Sequence, residues 1–174
     1  MGVSWLAVLP GLLLGVAGVA SAQQQPQVAN APFSRANIVL VQTTARSDSV
    51  LMQLQQHLKA HGYVVDTLDA AGGLLTTKVV VPAQNPSEQM KLRAVRQATG
   101  WKLTGLFTME GPMRGQATAF PAQFLGLENA PAKTAFREVE ALARAVPRGR
   151  LSYSRGKVSF GALTKLDDAL KAVW

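Results

Sequence analysis

Two stretches near the middle of the chain alternate too regularly to be anything but strands. In MKLRAV, residues 90–95, Met90, Leu92 and Ala94 fall on one side and Lys91 and Arg93 on the other. In WKLTGLFTME, residues 101–110, Trp101, Leu103, Gly105, Phe107 and Met109 share a side. A period of two is the signature of extended chain with one face buried. Thr99-Gly100 between them is turn chemistry, so the pair reads as an antiparallel hairpin. Such a hairpin does not stand alone in water. It demands a wider sheet and helices to cover its apolar face.

The rest of the chain supplies both. NIVLVQT, 37–43, is a continuous apolar run and predicts a buried strand. Ser47 is placed to cap a helix whose apolar positions are Val50, Leu51, Leu54 and Leu58. Gly62 follows where helices commonly end in a left-handed residue. YVVDTL, 63–68, and LLTTKVVV, 74–81, flank DAAGG and predict a second hairpin, closed by Pro82, Asn85 and Pro86. Residues 110–131 are rich in Gly and Pro and read as a long irregular loop. A second helix is expected from about Ala132 to Ala145, with Phe136, Val139, Leu142 and Val146 at helical spacing and Pro147 and Gly149 stopping it. RLSYS and KVSFG around Arg155-Gly156 predict a third hairpin. Leu163, Leu166, Leu170 and Val173 form the stripe of a short C-terminal amphipathic helix. The expected fold is α+β: a largely antiparallel sheet, two helices packed on one face, and the short C-terminal helix.

The N-terminal segment, 1–22, is set apart from this fold. Its apolar run from Trp5 to Ala20 ends in Ala20-Ser21-Ala22, the small-residue pattern that a signal peptidase reads. No Lys or Arg precedes the run, so the amino terminus supplies the usual positive charge. The run is shorter than the ~20 residues a spanning helix needs, and Pro10 interrupts it. The reading is export with cleavage after Ala22, a flexible Gln/Pro/Ala-rich lead-in over 23–35, and a single domain over 36–174. The expected location is the periplasm or the cell exterior, peripheral to the outer membrane.

Every charged residue follows Ala22, and 18 Lys and Arg against 10 Asp and Glu give a net charge of +8. In an exported chain this points to phospholipid or lipopolysaccharide head groups, wall polymers or an acidic protein patch, not to nucleic acid. There is no cysteine, so a disulfide, a catalytic thiolate and a cysteine-linked lipid are excluded.

Few residues present themselves for chemistry. His57 and His61 are four apart on a helix, a spacing that can chelate a metal. HLKAH lacks the glutamate of a zinc-protease motif and no third ligand is near, so no metal and no cofactor are expected. Asp66 and Asp69 would need to converge in a cleft to act as paired carboxylates; Asp69 fits better as the start of the turn into Gly72-Gly73. Ser154-Arg155-Gly156-Lys157 matches S-x-x-K without its partner motifs and reads as chance. Arg148, Arg150, Arg155 and Lys157 are the densest basic group and are expected on one hairpin edge, where they would meet anions. Phe120, Phe124 and Leu125 are expected either as an exposed apolar patch for a partner or as a lid over the core.

The passage from Asn37 to Val80 runs as apolar strand, helix, H-G-Y-V-V-D, a Gly-Gly turn, L-T-T and a further strand. It resembles the domains of the outer-membrane assembly lipoprotein C family (the NlpB-like lipoproteins), and many exported α+β proteins. The resemblance covers about a quarter of the chain. It implies a non-enzymatic role at the envelope and carries over no catalytic residue. That family anchors itself through a lipidated cysteine, which this chain lacks. The expectation is therefore an exported, envelope-associated binding or structural domain, with Arg148, Arg150, Arg155, Lys157, Phe120 and Phe124 as its surface. The competing expectations are an envelope hydrolase built on Asp66, Asp69 and the histidines, and a structural protein that oligomerises through the C-terminal stripe.

Overall fold

The computed structural model describes residues 27–79, 89–110, 117–161, 164 and 166–172. The expected signal segment, the first part of the lead-in, the expected closure over 82–86, residues 111–116, and Leu163, Val173 and Trp174 lie outside the described residues.

The described strands form one mixed α+β unit around an antiparallel sheet. They are β1 (Val28–Ala29), β2 (Ile38–Gln42), β3 (Val65–Asp69), β4 (Leu74–Thr77), β5 (Gln89–Gln97), β6 (Gly100–Glu110), β7 (Ala117–Pro121) and β8 (Arg150–Ser154). Their order across the sheet is β1-β8-β2-β6-β5-β4-β3, with β7 also on β6. The alternating pair 90–95 and 101–110 is its centre: β5 and β6 pair from Gln97↔Gly100 to Gln89↔Thr108.

One edge of β6 is shared. β2 pairs with its first part, Gly100 to Leu103, and β7 with its last part, Leu106 to Glu110. Thr104 and Gly105 fall in the gap between these two half-partners. Pro121, at the end of β7 and opposite Leu106, has no N–H to extend the ladder. Ala122 N–H bonds Gly105 O at 2.9 Å just beyond it.

Helices α1 (Ser47–Ala60) and α2 (Pro131–Arg144) bury their apolar residues in the same core. Val50, Leu51, Leu54 and Leu58 of α1, with Phe136, Val139 and Leu142 of α2, meet Val39, Val41, Leu92, Leu103 and Phe107 there. Gly105 lets α2 approach, because a Cβ on it would stand 2.7 Å from Val139 Cγ2. Tyr63 and Tyr153 tie the sheet to α2 through Glu138 (3.3 Å) and Glu140 (2.6 Å). Gly62 is left-handed (φ 78°) after α1, and Tyr63 N–H reaches back to Leu58 O at 2.9 Å.

The opposite face carries a smaller cluster. Leu106 and Ala119 meet Phe160 and Ala169, with Leu166 and Leu170 of α3 (Leu166–Lys171) against them. The described part of the C-terminal stripe is thus spent inside the molecule.

Four expectations are corrected. Ser47 does not cap α1: it is the first helical residue, and Arg46 precedes it with no side-chain cap. The Gly/Pro-rich stretch contains β7, because Ala119 fits the small cluster and Phe120 stacks on Phe107 at 5.6 Å. From Gln27 the lead-in is part of the fold, with β1 on β8 and Phe33 against the core. KVSFG is not a strand. Asn37 Nδ2–H donates to Gly156 O (3.1 Å) and Gly156 N–H donates to Asn37 Oδ1 (2.8 Å), which turns the chain across the sheet instead of back along β8.

Candidate functional site

The gap in the β6 ladder opens into a groove. Its floor is Lys102, Thr104 and Gly105 of β6; Asn37 and Ile38 form one wall, Pro121 another, and residues 156–160 arch over it. The inner chamber has a volume of about 120 Å³. It continues into an outer mouth of about 460 Å³ bordered by Arg35, Gln123, Arg155 and Lys157. Both parts share Asn37, Pro121, Gly156, Lys157 and Val158.

Local structure fixes the walls. Gly156 packs so closely on β2 that a Cβ would lie 2.6 Å from Ile38 Cδ1, and both polar atoms of the Asn37 amide hold its backbone. Arg35 stands in a left-handed turn (φ 66°) pinned by backbone bonds from Arg35 N–H to Phe124 O (2.9 Å) and from Phe124 N–H to Ala36 O (2.8 Å).

The electrostatics of the groove are one-sided. Its described lining holds Arg35, Lys102, Arg155 and Lys157 and no carboxylate. Among the described residues none of these four pairs with an acid, whereas Lys91, Lys133, Arg137 and Arg144 do. Burial, and secondarily the charge of Arg93, hold the Lys102 ammonium below the ordinary lysine range. Thr104 is 5 % exposed, and its Oγ1 is the one buried side-chain polar atom without a partner among the described residues. Two other sheet threonines contrast with it: Thr77 Oγ1 accepts Leu92 N–H at 3.0 Å, and Thr108 Oγ1 meets Gln89 at 3.5 Å.

The basic quartet expected on one hairpin edge is divided. Arg155 and Lys157 border the groove, while Arg148 and Arg150 stand at the other end of β8, exposed, roughly 17 Å away at about 3.4 Å per residue. Phe120 and Phe124 take the lid alternative. Phe120 stacks on Phe107, and Phe124 sets its edge on Phe136 at 5.9 Å with Lys133 Nζ 4.6 Å over its ring. Leu125 and Leu127 beside them are the exposed apolar residues of that loop, Leu127 at 86 %.

The residues of the hydrolase expectation are not brought together. Asp66 pairs with Lys91 (3.2 Å), and Asp69 Oδ1 accepts Gly72 N–H (2.8 Å) in the turn. His57 and His61 stack at 4.0 Å at the end of α1, half-buried and away from the groove. No group of three or more metal-ligating side chains occurs among the described residues. Ser154 closes a strand and opens no helix.

The sequence reading missed Arg35, Lys102 and Thr104. The signal was present in the second face of the strand pair: Lys102 and Thr104 alternate with Leu103 just as Lys91 and Arg93 alternate with Leu92. Thr104 pairs across to Arg93, so this face gathers basic side chains distant in sequence. The chain matches no protein-family model and no curated protein.

Proposed function

We propose that this chain is an exported, non-enzymatic binding domain that captures an anionic component of the cell envelope in the β6 groove. The observation that carries this reading is the groove itself: four cations and no acid in its described lining, and a buried hydroxyl with no partner among the described residues. Cations gathered along one groove with no acid among them raise the local concentration of anions, although Arg35, Arg155 and Lys157 are themselves exposed. The apolar N-terminal run ending in Ala-Ser-Ala supports delivery to the envelope. The likeness of residues 37–80 to non-enzymatic envelope lipoproteins supports the same role. No helix among the described residues is long and apolar enough to cross a membrane, so attachment through the groove is peripheral.

The divided quartet gives the test. Sedimentation with anionic phospholipid vesicles at low salt should show Arg155→Glu/Lys157→Glu weakening capture by about tenfold or more. Arg148→Glu/Arg150→Glu, with the same change in net charge, should leave capture intact. Equal losses in the two pairs would mean that overall charge binds the vesicle, and the groove reading would fall.

A further inference from the structure

The inner chamber makes a narrower demand than the mouth. Thr104 Oγ1 lies on its floor without a partner among the described residues, and two lysines line it as well, Lys102 half-buried and Lys157 exposed. Ile38, Pro121, Val158 and Phe160 supply apolar wall. The Asn37 amide spends its oxygen and one of its two N–H donors on Gly156, which fixes its orientation in the wall.

A buried hydroxyl left without an acceptor is costly, and a half-buried lysine such as Lys102 without a counter-charge adds a smaller cost. Both costs vanish when an anion with several acceptor oxygens enters. The chamber, about 120 Å³, has room for a small tetrahedral anion. A carboxylate brings one charge and two oxygens in a single plane. A phosphate monoester offers three terminal oxygens and close to two charges, and its ester bond leads out toward Arg35 and Arg155, whose guanidinium forks match further phosphate or polar oxygens.

We propose that the chamber binds the phosphoryl group of a phosphate monoester, with Thr104, Lys102 and Lys157 on its terminal oxygens and the esterified remainder lying in the Arg35–Arg155 mouth. This rests on the anion-binding reading of the groove and names its ligand class. The monoester is either a lipid head group, as in phosphatidic acid, or a soluble phosphate.

The test is calorimetric titration of the full chain with inorganic phosphate, glycerol 3-phosphate and acetate, beside vesicles containing phosphatidic acid or phosphatidylglycerol. The expected result is binding of both phosphates and not of acetate. Thr104→Val should lower phosphate affinity about tenfold, the worth of one hydrogen bond to a charged group, and Lys102→Met at least as much. Capture of phosphatidylglycerol vesicles, whose head group is a diester with no terminal phosphoryl group to seat in the chamber, should fall less in both variants than phosphate affinity does. Thr104→Val removes an unpaired hydroxyl, so it remains folded and the comparison is valid. A preference for phosphatidic acid over phosphatidylglycerol vesicles assigns the lipid source; phosphate binding without that preference assigns the soluble one. Acetate binding as well as phosphate, or a Thr104→Val chain indistinguishable from the parent, overturns the monoester assignment while the Arg155/Lys157 result still upholds the groove. Binding of no anion and no vesicle overturns both.

Discussion

On β6, Leu103 points toward the core of α1 and α2 and has no exposed surface; the next residue, Thr104, points into the groove and has a hydroxyl with no partner. One face of the sheet is filled by two helices and a continuous apolar cluster. The other is covered only in part, by residues 156–160 and α3, and carries Lys91, Arg93, Lys102 and Thr104. The period of two in a strand lets one stretch serve both purposes. The comparison teaches where tolerance to mutation should lie: the helix face sets stability, and the groove face gives some of it up.

The largest expected effect is on the helix face. Phe136→Ala, at a fully buried ring, should cost about 3–5 kcal/mol in urea unfolding. Next comes a matched pair on one strand. Leu103 and Leu106 are both fully buried, but Leu103 belongs to the large cluster and Leu106 to the small one. Leu103→Ala should cost about 4 kcal/mol and Leu106→Ala about 2 kcal/mol, because the small cluster can collapse on the void. Equal losses would break the comparison. Gly156→Ala should cost about 1 kcal/mol, as the Ile38 side chain yields to the new methyl, and should weaken anion capture more than it weakens the fold. Thr104→Val should go the other way, raising stability by about 1 kcal/mol in the same urea titration. A site that gains stability when its polar group is removed is one kept for binding.

The smallest effect is a pH dependence on the helix side. Burial, then the charge of His61, holds the His57 imidazole below its ordinary 6.5. The unfolded chain therefore takes up a proton where the folded chain does not. Stability should be level above about pH 6.5 and fall as pH drops from there through the lowered folded value. His57→Gln should flatten that part of the melting-temperature profile.

Much of the helix face was legible in the sequence, since Val50, Leu54, Phe136 and Val139 announce themselves by spacing and Gly62 by its place after the last turn. The groove was not. Density along the chain pointed to Arg148, Arg150, Arg155 and Lys157 as one group, but a strand separates its members. The site draws on residues near 35, 103 and 157, and only pairing across the sheet brings them together. The third expected hairpin failed for a related reason: local alternation in KVSFG lost to the Asn37–Gly156 clamp, a contact that no window of sequence contains. β7 was hidden because Pro121 and the neighbouring glycines mask a short strand whose Ala119 is apolar only weakly.

That clamp joins positions 119 residues apart. A ribosome or a translocation channel delivers a chain from its first residue onward, so β2 and α1 are available long before Gly156 is. The helix-covered half can begin to assemble on nearby contacts, whereas the recess must wait for almost the last part of the polypeptide and the long loop closure that it demands. A chain ended before Gly156 could still gather apolar residues around α1 but would have no roof over Thr104.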